Sequence, residues 1–417
     1  MEGVVRAMAR GGDAAVLTDQ GIVFAHGALP GERVRLGSVT RRRGAATAEV
    51  VEILAAAPER VSPPCPRFSR CGGCTWMHGA PEAQAEWKRA FLEEALDRAG
   101  QRAGVDVTCA PAPTALGYRR RARLAWHAGP GETRVGYRHR RSHAIEDAPD
   151  CAVLTPALEA GLDRLRAVLA PFLAGVGEAS LSEGAAGGLA LVLETADSQP
   201  AEAYGAAAAL AGETGVAGVA LMVEGVGAPA TWGDPRDVYE GFDGAPMVGT
   251  IGGFSQAHGA VNKALVARVA EWAEPSDARV LEFHAGSGNL TVALAPDAAS
   301  TVAVELDQGA ADACRANLAN RGITGVRVVA ADAAACTAER SPDVVVLNPP
   351  RTGAAEAVGP IVKRRPARIV YVSCDTGTLA RDLKAFGAAG YVVDAACGYD
   401  MFPQTAHLES VVRLRRE

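Results

Sequence analysis

The sequence predicts an α/β protein with a C-terminal, doubly wound (Rossmann-like) parallel sheet, an N-terminal OB-like β-barrel and a central α+β domain. A chain of 417 residues is too long for one ordinary hydrophobic core, which favours two or three domains. The first 57 residues contain short apolar runs between turn residues. From about residue 250, β-branched runs alternate with helical periodicity. We therefore expect domains at 1–57, 58–245 and 246–417.

The barrel prediction depends on how closely the apolar runs follow one another. They are separated by Gly, Asp and Pro, and they lie at residues 14–17, 21–24, 34–36 and 48–54. About five strands in fewer than sixty residues are typical of an OB-like barrel, a common nucleic-acid platform. The arginine triplet at 41–43 is predicted in the last loop, where it either contacts phosphates or forms an ordinary solvated turn.

Charge is distributed unevenly along the chain. Residues 1–143 hold 22 Lys and Arg against 14 Asp and Glu, whereas the remaining residues hold 20 against 34. The formal net charge of −6 conceals this difference. A basic front half indicates nucleic-acid contact, although a solvated basic face gives the same composition.

Several classes of protein are disfavoured. No apolar run approaches the roughly 18 residues that span a membrane, and residues 1–10 lack the apolar segment of a secretory signal. We therefore expect a cytoplasmic protein without membrane contact. Nine cysteines, an odd number with one tight cluster, favour thiol chemistry or metal binding over a disulfide framework.

Three of the cysteines, Cys65, Cys71 and Cys74, are close together in the sequence. Their C-x5-C-x2-C spacing brings thiolates together, as a metal ion or cluster requires. Structural zinc usually takes two paired C-x-x-C arms, and no second pair is present in the sequence. An iron–sulfur cluster takes four thiolates at less regular spacing, and Cys151 is the candidate for the fourth. We expect a [4Fe–4S] cluster, with zinc as the alternative.

The most basic stretches lie in the central domain at 118–127 and 134–143. Residues 118–143 contain eight arginines and one acid, Glu132. The alternation from 119 to 126 predicts a strand with a charged and an apolar face, and the interleaved Tyr and Trp offer stacking surfaces for bases. We expect this face to contact RNA, with a solvated sheet face as the alternative. Residues 155–245 contain no recognisable motif.

The C-terminal part shows the βα rhythm of a parallel sheet. Strands are predicted at 279–283, 301–305, 326–330, 344–347, 369–373 and 391–397, with a last strand at 408–414. After the first strand comes Gly286-Ser287-Gly288, which lets a ligand approach the backbone at a helix N-terminus. The third glycine of the dinucleotide pattern is missing. With Glu305 ending the second strand and Asp332 following the third, the pattern favours S-adenosylmethionine (SAM) over NAD.

Cys374 follows the fifth strand of this sheet. A thiol at the carboxyl end of a parallel strand and near a helix N-terminus lies where α/β proteins carry out chemistry and where a thiolate is favoured. The simpler interpretation is a small buried cysteine. Thr376 or Thr378 is predicted to cap the helix that follows.

Two further motifs favour the chemical interpretation of Cys374. Asn348-Pro349-Pro350 forms a rigid turn after the fourth strand, and such a turn also occurs in enzymes that methylate exocyclic amines. Amine methylation needs no cysteine. Carbon 5 of uracil, by contrast, becomes nucleophilic once a thiolate adds to carbon 6, and a base must then remove its proton. Glu409, at the start of the last strand, is the candidate base.

Together these motifs resemble the RNA 5-methyluridine methyltransferase family over nearly the whole chain. The family's TRAM-type barrel matches 1–57, its cluster signature matches Cys65, Cys71, Cys74 and Cys151, and its F-x-Q motif matches 254–256. The resemblance implies that Cys374 is the nucleophile and Glu409 the proton-abstracting base. It implies SAM contacts at Gln256, His284, Asn289, Glu305, Asp332 and Asn348.

Three positions differ from the family pattern. His284 replaces a usual aromatic ring, Asn348 replaces the aspartate of D-P-P-R, and Asp375-Thr376 replaces Asn-Pro after the nucleophile. The barrel and the cysteines resemble the branch that modifies 23S ribosomal RNA more than the transfer-RNA branch. We therefore expect a monomer that methylates uridine in 23S rRNA. The alternatives are a transfer-RNA substrate, a weakened RNA-binding or ribosome-assembly factor, and an amine methyltransferase.

Overall fold

The computed structural model describes residues 1–42, 44–129, 131–334 and 341–417. Over these residues the chain forms a six-stranded, a seven-stranded and an eight-stranded sheet, together with a two-stranded hairpin. The predicted fold class, a doubly wound C-terminal domain preceded by a barrel and an α+β region, is confirmed.

The N-terminal barrel has six strands. They are β1 Glu2–Met8, β2 Ala14–Thr18, β3 Gly21–His26, β4 Arg33–Leu36, β5 Thr40–Arg42 and β6 Ala45–Ala55. The strand order is β3-β2-β1-β4-β6-β5, and a parallel pairing of β3 with β6 closes the barrel. Alternate residues such as Val5 and Val16 are buried inside.

The barrel differs from the prediction in two details. Strand β1 was not predicted, because its charged residues interrupt the apolar run, although its Val4 is exposed and its Val5 buried as in any half-buried strand. Arg41 was predicted in a loop, and this was wrong: it lies in β5, paired with Ala46 of β6. Position 43 of the triplet lies outside the described residues.

Helix α1 (Pro81–Ala99) and strand β7 (Val107–Ala110) follow the barrel. The helix ends at Gly100, which has φ 71° in the left-handed region that favours glycine. Both elements belong spatially to the C-terminal sheet: α1 packs on its last helix and β7 extends its edge. The predicted domain boundary at 57/58 stays a prediction.

The central sheet is formed mainly by antiparallel strands. They are β8 Arg121–Gly129, β9 Glu132–Arg138, β10 Ile145–Asp147, β11 Val176–Glu183, β12 Leu189–Thr195, β13 Val216–Val223 and β14 Ala230–Gly233. Their order is β10-β9-β8-β11-β12-β13-β14, and β12 and β13 are parallel. Helices α2 (Pro156–Arg164) and α3 (Ala201–Ala211) pack with the sheet around one apolar core.

A hairpin of β15 (Val238–Glu240) and β16 (Pro246–Val248) leads into the C-terminal sheet. Its strands are β17 Arg279–Phe283, β18 Ser300–Glu305, β19 Val326–Ala330, β20 Val344–Leu347, β21 Arg368–Ser373, β22 Tyr391–Tyr399 and β23 Glu409–Arg416. Its helices are α4 Gly259–Ala273, α5 Thr291–Leu294, α6 Gln308–Ala319, α7 Ala355–Arg364 and α8 Thr376–Ala388.

The strand order of this sheet fixes which residues can meet. The order is β19-β18-β17-β20-β21-β23-β22-β7, with β17 to β21 parallel and β23 antiparallel to both of its neighbours. The carboxyl ends of five parallel strands and the start of β23 therefore lie along one side, which we call the catalytic edge.

The barrel and the C-terminal sheet share one hydrophobic core. Barrel residues such as Val16, the fully buried Trp76, Leu92 of α1 and Tyr371 of β21 all belong to the same apolar cluster. The barrel is therefore packed against the C-terminal sheet. In the described part of the chain, no helix has the length and apolarity needed to cross a membrane.

Candidate active site

The catalytic edge brings most of the predicted site residues to one side of the sheet. They come directly at or after a strand end: His284 after β17, Glu305 at the end of β18, Asp332 after β19, Asn348 after β20 and Cys374 after β21. Because the five strands are parallel, these residues all project from the same edge.

Cys374 and Glu409 come together through the register of β21 and β23. Ser373, the last residue of β21, pairs with Ser410. Because the strands are antiparallel, Cys374, which follows Ser373, faces Glu409, which precedes Ser410. Burial is the main cause that raises the pKa of the Cys374 thiol to about 11, and the neighbouring Glu409 carboxyl contributes to this rise. Burial also raises the pKa of Glu409 to about 8. At neutral pH, therefore, both groups are predominantly protonated in the free protein.

Arg351 is the cation of this site. Its guanidinium lowers the pKa of both Cys374 and Glu409, which opposes the effect of burial. Arg351 itself is exposed to solvent. A positive charge beside a thiol and a carboxyl favours their ionised forms, which are the reactive ones.

The loop that carries Arg351 is held by helix α8. Thr378 Oγ1 donates to the Arg351 carbonyl at 3.2 Å, and Arg381 Nη2 donates to the Thr352 carbonyl at 2.9 Å. Gly353 lies in the left-handed region with φ 77°, and a Cβ at this position would be 2.5 Å from Arg381 Nη2. The loop therefore requires glycine here, and its hydrogen bonds tie it to the helix that follows Cys374.

Asp375 caps helix α8. Its Oδ1 accepts hydrogen bonds from the backbone N–H groups of Gly377 and Thr378, both at 2.8 Å. The predicted caps, Thr376 and Thr378, were therefore wrong. Aspartate and asparagine are equally good caps, so Asp375 can carry out the structural role of the asparagine that it replaces.

The chain before Glu409 is held from outside the C-terminal domain. The N–H groups of Thr75 and Trp76 both donate to the Gln404 carbonyl, at 2.8 and 2.9 Å. Gln404 has φ 69°, so its backbone conformation is held by these contacts. Lys88 of α1 forms a fully buried ion pair with Asp400. These contacts were not predictable from the sequence, because their partners are more than 300 residues apart.

The predicted SAM residues next to the glycine loop interact with one another. The Glu305 carboxylate accepts from Gly286 N at 2.8 Å and from Asp307 N at 2.9 Å, which ties the loop to β18. His284 has φ 58°, and burial lowers the pKa of its ring although Glu305 and Asp332 oppose the shift. His284, Glu305 and Asp332 therefore share one side of the edge.

Asn289 and Gln256 lie on the side of helix α4. Asn289 forms two reciprocal amide hydrogen bonds with Asn262, at 2.9 and 3.0 Å. Within the residues that the structure describes, the buried Gln256 Oε1 has no hydrogen-bond partner. Since buried polar atoms are normally paired, this atom is available to a ligand.

Two residues that the sequence analysis did not single out belong to the same region. Asn262 holds Asn289. Glu282 of β17 is buried, and among the residues that the structure describes its Oε2 has no hydrogen-bond partner. Burial raises the pKa of Glu282 to about 8. A charged residue inside an apolar strand was the signal that could have identified Glu282.

The four predicted metal ligands line one pocket. We call it the cysteine pocket: Cys65, Cys71, Cys74 and Cys151. Gly73 N donates to Cys71 Sγ at 3.4 Å. Thiolate donors of this number and type suit a [4Fe–4S] cluster, but among the described residues no three metal-ligating side chains converge as a metal site. The donor set fits the cluster.

The predicted basic face of the central sheet is mostly paired with acids. Arg123 forms ion pairs with Glu178 and Glu194, and Arg138 also pairs with Glu178. The predicted alternation of β8 is present, because Ala122, Leu124 and Trp126 are buried. The stacking role predicted for the aromatic rings was wrong. Their side chains belong to the core: Tyr118, Trp126 and Tyr137.

Comparison with known proteins identifies the family. The family model described as tRNA (Uracil-5-)-methyltransferase matches residues 249–417. A 23S rRNA (uracil(1939)-C(5))-methyltransferase of Alkalilimnicola ehrlichii is 36% identical over 96% of this chain and 93% of its own. The enzyme of that name from Pseudomonas putida is 36% identical over 93% of this chain and 87% of its own.

A solved structure shares the fold over the full length. The tRNA (uracil-54, C5)-methyltransferase of Pyrococcus abyssi, in complex with S-adenosyl-L-homocysteine, covers 99% of this chain with a TM-score of 0.78 and 22% identity. With the two bacterial relatives, these similarities confirm the prediction of a SAM-dependent enzyme. The chain belongs to the RNA (uracil-C5-)-methyltransferase family.

Proposed function

We propose that the protein methylates carbon 5 of a uridine in 23S ribosomal RNA, with Cys374 as a covalent nucleophile. The observation that carries this proposal is that Cys374 and Glu409 lie next to each other, beside the last residue pair of β21 and β23 and near the guanidinium of Arg351. A thiol, a carboxyl and a cation are the three groups that carbon 5 methylation requires. Amine methylation would use neither the thiol nor the base.

In the first step the Cys374 thiolate attacks carbon 6 of the uracil. The electrons of the C5=C6 bond move onto the ring as an enolate, which makes carbon 5 nucleophilic. Arg351 carries a positive charge beside this position and stabilises both the thiolate and the enolate. When bound, SAM would supply an electrophilic methyl group to carbon 5, with cleavage of its S–CH3 bond and release of S-adenosylhomocysteine.

Glu409 completes the reaction as a general base. Its carboxylate removes the proton from carbon 5, the electrons of the C–H bond reform the C5=C6 double bond, and the bond from carbon 6 to Cys374 breaks. The pKa of about 8 makes Glu409 a stronger base than an exposed glutamate. The thiolate is regenerated, and the proton leaves through Glu409.

We assign SAM binding to the residues of the catalytic edge. Glu305, ending β18, is positioned to accept hydrogen bonds from ribose hydroxyls, and its two backbone contacts hold it in place. The unpaired Gln256 Oε1 offers a further acceptor. Asn348 keeps hydrogen-bonding capacity without the negative charge of an aspartate. The proposed set is Gln256, His284, Asn289, Glu305, Asp332 and Asn348.

The choice of 23S rRNA is supported by the bacterial relatives and by the cysteine pocket. The two relatives carry 23S rRNA in their names and align with nearly the full chain. The pocket's four thiols would hold a [4Fe–4S] cluster with a structural or RNA-positioning role. The proposal includes a TRAM-type barrel at 1–57, a central domain at 58–245, a catalytic domain at 246–417 and a monomeric, cytoplasmic protein.

The test uses anaerobically purified protein with SAM and unmodified 23S or transfer RNA, followed by nucleoside analysis. Wild type and Cys374→Ala are compared, with Cys397→Ala as the matched control, because Cys397 is buried in β22 away from the proposed chemistry. We expect 5-methyluridine in 23S rRNA with wild type and the control, and none with Cys374→Ala.

Each other outcome overturns a defined part of the proposal. Product in transfer RNA alone keeps the mechanism and excludes the 23S substrate. Methylation that survives Cys374→Ala excludes the covalent mechanism and favours amine chemistry. RNA and SAM binding without any product favours a weakened assembly factor, for which the replacement of aspartate by Asn348 is the structural reason.

A further inference from the structure

The turn between β1 and β2 brings a barrel residue to the helix that follows Cys374. Arg10 lies in this turn, and a Cβ built on Gly377 would be 2.5 Å from Arg10 Nη1. Gly377 is the second residue of α8, three positions after Cys374. The guanidinium of Arg10 is therefore beside the catalytic edge, although its backbone belongs to the N-terminal barrel.

The turn is fixed by contacts on both sides. Within it, Ala9 N donates to the Asp13 carbonyl at 2.7 Å. From outside, Trp76 Nε1 donates to the Gly12 carbonyl at 3.1 Å, and Asp13 pairs with two arginines of the β9–β10 connection, Arg140 and Arg141. A turn held in this way places Arg10 with little conformational freedom left in its backbone.

Arg10 differs from the neighbouring Arg140 and Arg141 because, in the described part of the chain, no carboxylate forms an ion pair with it. Over residues 1–42, 44–129, 131–334 and 341–417, no hydrogen bond or ion pair is formed by its exposed guanidinium. The nearby Asp375 carboxylate is directed to the N–H groups of α8 instead. Arg351 likewise forms no ion pair within the described residues, and its guanidinium lies close enough to Cys374 to lower the pKa of the thiol.

We infer that Arg10 binds a phosphate of the RNA segment that delivers the target uridine, an inference that rests on the proposed function. A base that leaves its stack to reach Cys374 stays linked through its ribose to two phosphates, which must lie close to the site. The planar fork of the arginine side chain matches the oxygens of a phosphate. The barrel is thus part of the catalytic site.

Two variants separate the position of Arg10 from its charge. Arg10→Gln removes the charge. Gly377→Ala keeps the charge but moves the guanidinium, since the new methyl group occupies its place. Alanine suits a helix better than glycine, but the new methyl group would also lie 3.0 Å from the capping Asp375 Oδ1, so the melting temperature of Gly377→Ala is measured together with its rate. Arg327→Gln is the matched control: Arg327 is exposed on β19, the outermost strand.

Two quantities are measured with an unmodified 23S rRNA transcript: kcat/KM for methylation, and equilibrium RNA binding over a series of salt concentrations. For Arg10→Gln we expect kcat/KM to fall about 10- to 30-fold and the slope of log K against log salt to lose about one unit. Gly377→Ala should show a similar fall in kcat/KM, while Arg327→Gln should stay within about twofold of wild type.

The two measurements keep this inference separate from the proposed function. If wild type produces no 5-methyluridine, the proposed function fails, and the salt slope still tests Arg10. If wild type methylates RNA but Arg10→Gln matches Arg327→Gln in both rate and slope, Arg10 does not bind phosphate. A fall in kcat/KM with an unchanged slope also overturns the inference, because a lost phosphate contact must change counterion release.

Discussion

The catalytic edge and the cysteine pocket both contain partly buried thiols, but they surround them differently. Burial raises the pKa of Cys374 to about 11 and that of Cys74 to about 12. Cys374 lies among a carboxyl group and the cation Arg351. Cys74 lies among other thiols, and the largest opposing influence on it is Arg119. In both regions, therefore, the starting point is a thiol whose pKa is raised by burial.

This difference indicates that the groups surrounding a thiol determine its chemical role. A single thiol beside a base and a cation suits a bond to carbon that must later break. Four thiols around one pocket suit shared metal ligands, which remain in place. The two regions are also joined, because Thr75 and Trp76 follow Cys74 directly and donate to the Gln404 carbonyl before Glu409.

The largest expected effect is on the catalytic edge. In Glu409→Gln the side chain keeps its shape but cannot accept the carbon 5 proton, so we expect kcat to fall about 10²- to 10⁴-fold. The thiol can still add to carbon 6. A covalent protein–RNA complex should therefore accumulate and be visible on a denaturing gel.

Glu356→Gln is the control for this variant, because Glu356 is exposed in the first turn of α7. It should methylate at the wild-type rate and leave no complex. A normal kcat for Glu409→Gln would show that Glu409 is not the base. The carboxyl group would then no longer distinguish the catalytic edge from the cysteine pocket.

The second prediction concerns the anchoring of the chain before Glu409 by helix α1. Lys88 is fully buried, pairs with Asp400 and donates to the Phe402 carbonyl at 3.1 Å. Lys88→Met leaves Asp400 as an uncompensated buried charge, which should lower the free energy of unfolding by about 3–5 kcal/mol in urea titrations. Since the chain before Glu409 loses its anchor, kcat should also fall.

The exposed Lys384 of α8 provides the matched control, and Lys384→Met should change the free energy of unfolding by less than about 0.5 kcal/mol. Adding Asp400→Asn to Lys88→Met should recover part of the lost stability. Equal stability of Lys88→Met and wild type would show that α1 does not hold this part of the catalytic domain.

The third prediction concerns the cysteine pocket. Cys71→Ser removes one of four thiolates, so anaerobically purified protein should lose most of its iron, from about four atoms per chain, together with its visible absorbance. Because the chemistry depends on Cys374, kcat should fall less than about tenfold. Cys314→Ser, at a buried cysteine of α6 outside the pocket, should retain the iron. Zinc in place of iron in wild type would exclude the cluster.

The catalytic edge was largely predictable because strand ends are visible in the sequence. Apolar runs end before His284, Asn348 and Cys374, and the parallel arrangement follows from the βα rhythm. Residues whose partners are distant in sequence were not predictable. Lys88 looks like an ordinary helix-surface lysine until the fold places Asp400 against it.

The central sheet, by contrast, contains features that could not be predicted from the sequence. Its arginine alternation correctly predicted a strand with one buried face, yet the acids that pair with Arg123 come from other strands, β11 and β12. Composition alone cannot show such neutralisation. The aromatic rings next to the arginines were assigned to base stacking, but the apolar core takes them because large rings gain most from burial.

The last prediction concerns the pH dependence of the rate and of the stability, which tests the ionisation of the catalytic edge. The pKa of Glu409 is raised to about 8, so its base form increases as the pH rises from 6 to 8, and log kcat/KM should rise by about one unit per pH unit from this group. Cys374, with a pKa near 11, should keep the profile rising above pH 8 with a smaller slope. Steady-state rates between pH 6 and 9.5 check this.

The raised pKa of Glu409 also determines whether the free energy of unfolding rises or falls with pH. Between the pKa of the unfolded chain, near 4.5, and about 8, folded Glu409 holds a proton that the unfolded chain releases. Its contribution to the free energy of unfolding is therefore full below pH 4.5 and declines as the pH rises towards 8. Glu409→Gln should remove this decline. A flat rate profile together with an unchanged stability slope would mean that the carboxyl is already ionised at neutral pH, and that Arg351 outweighs burial.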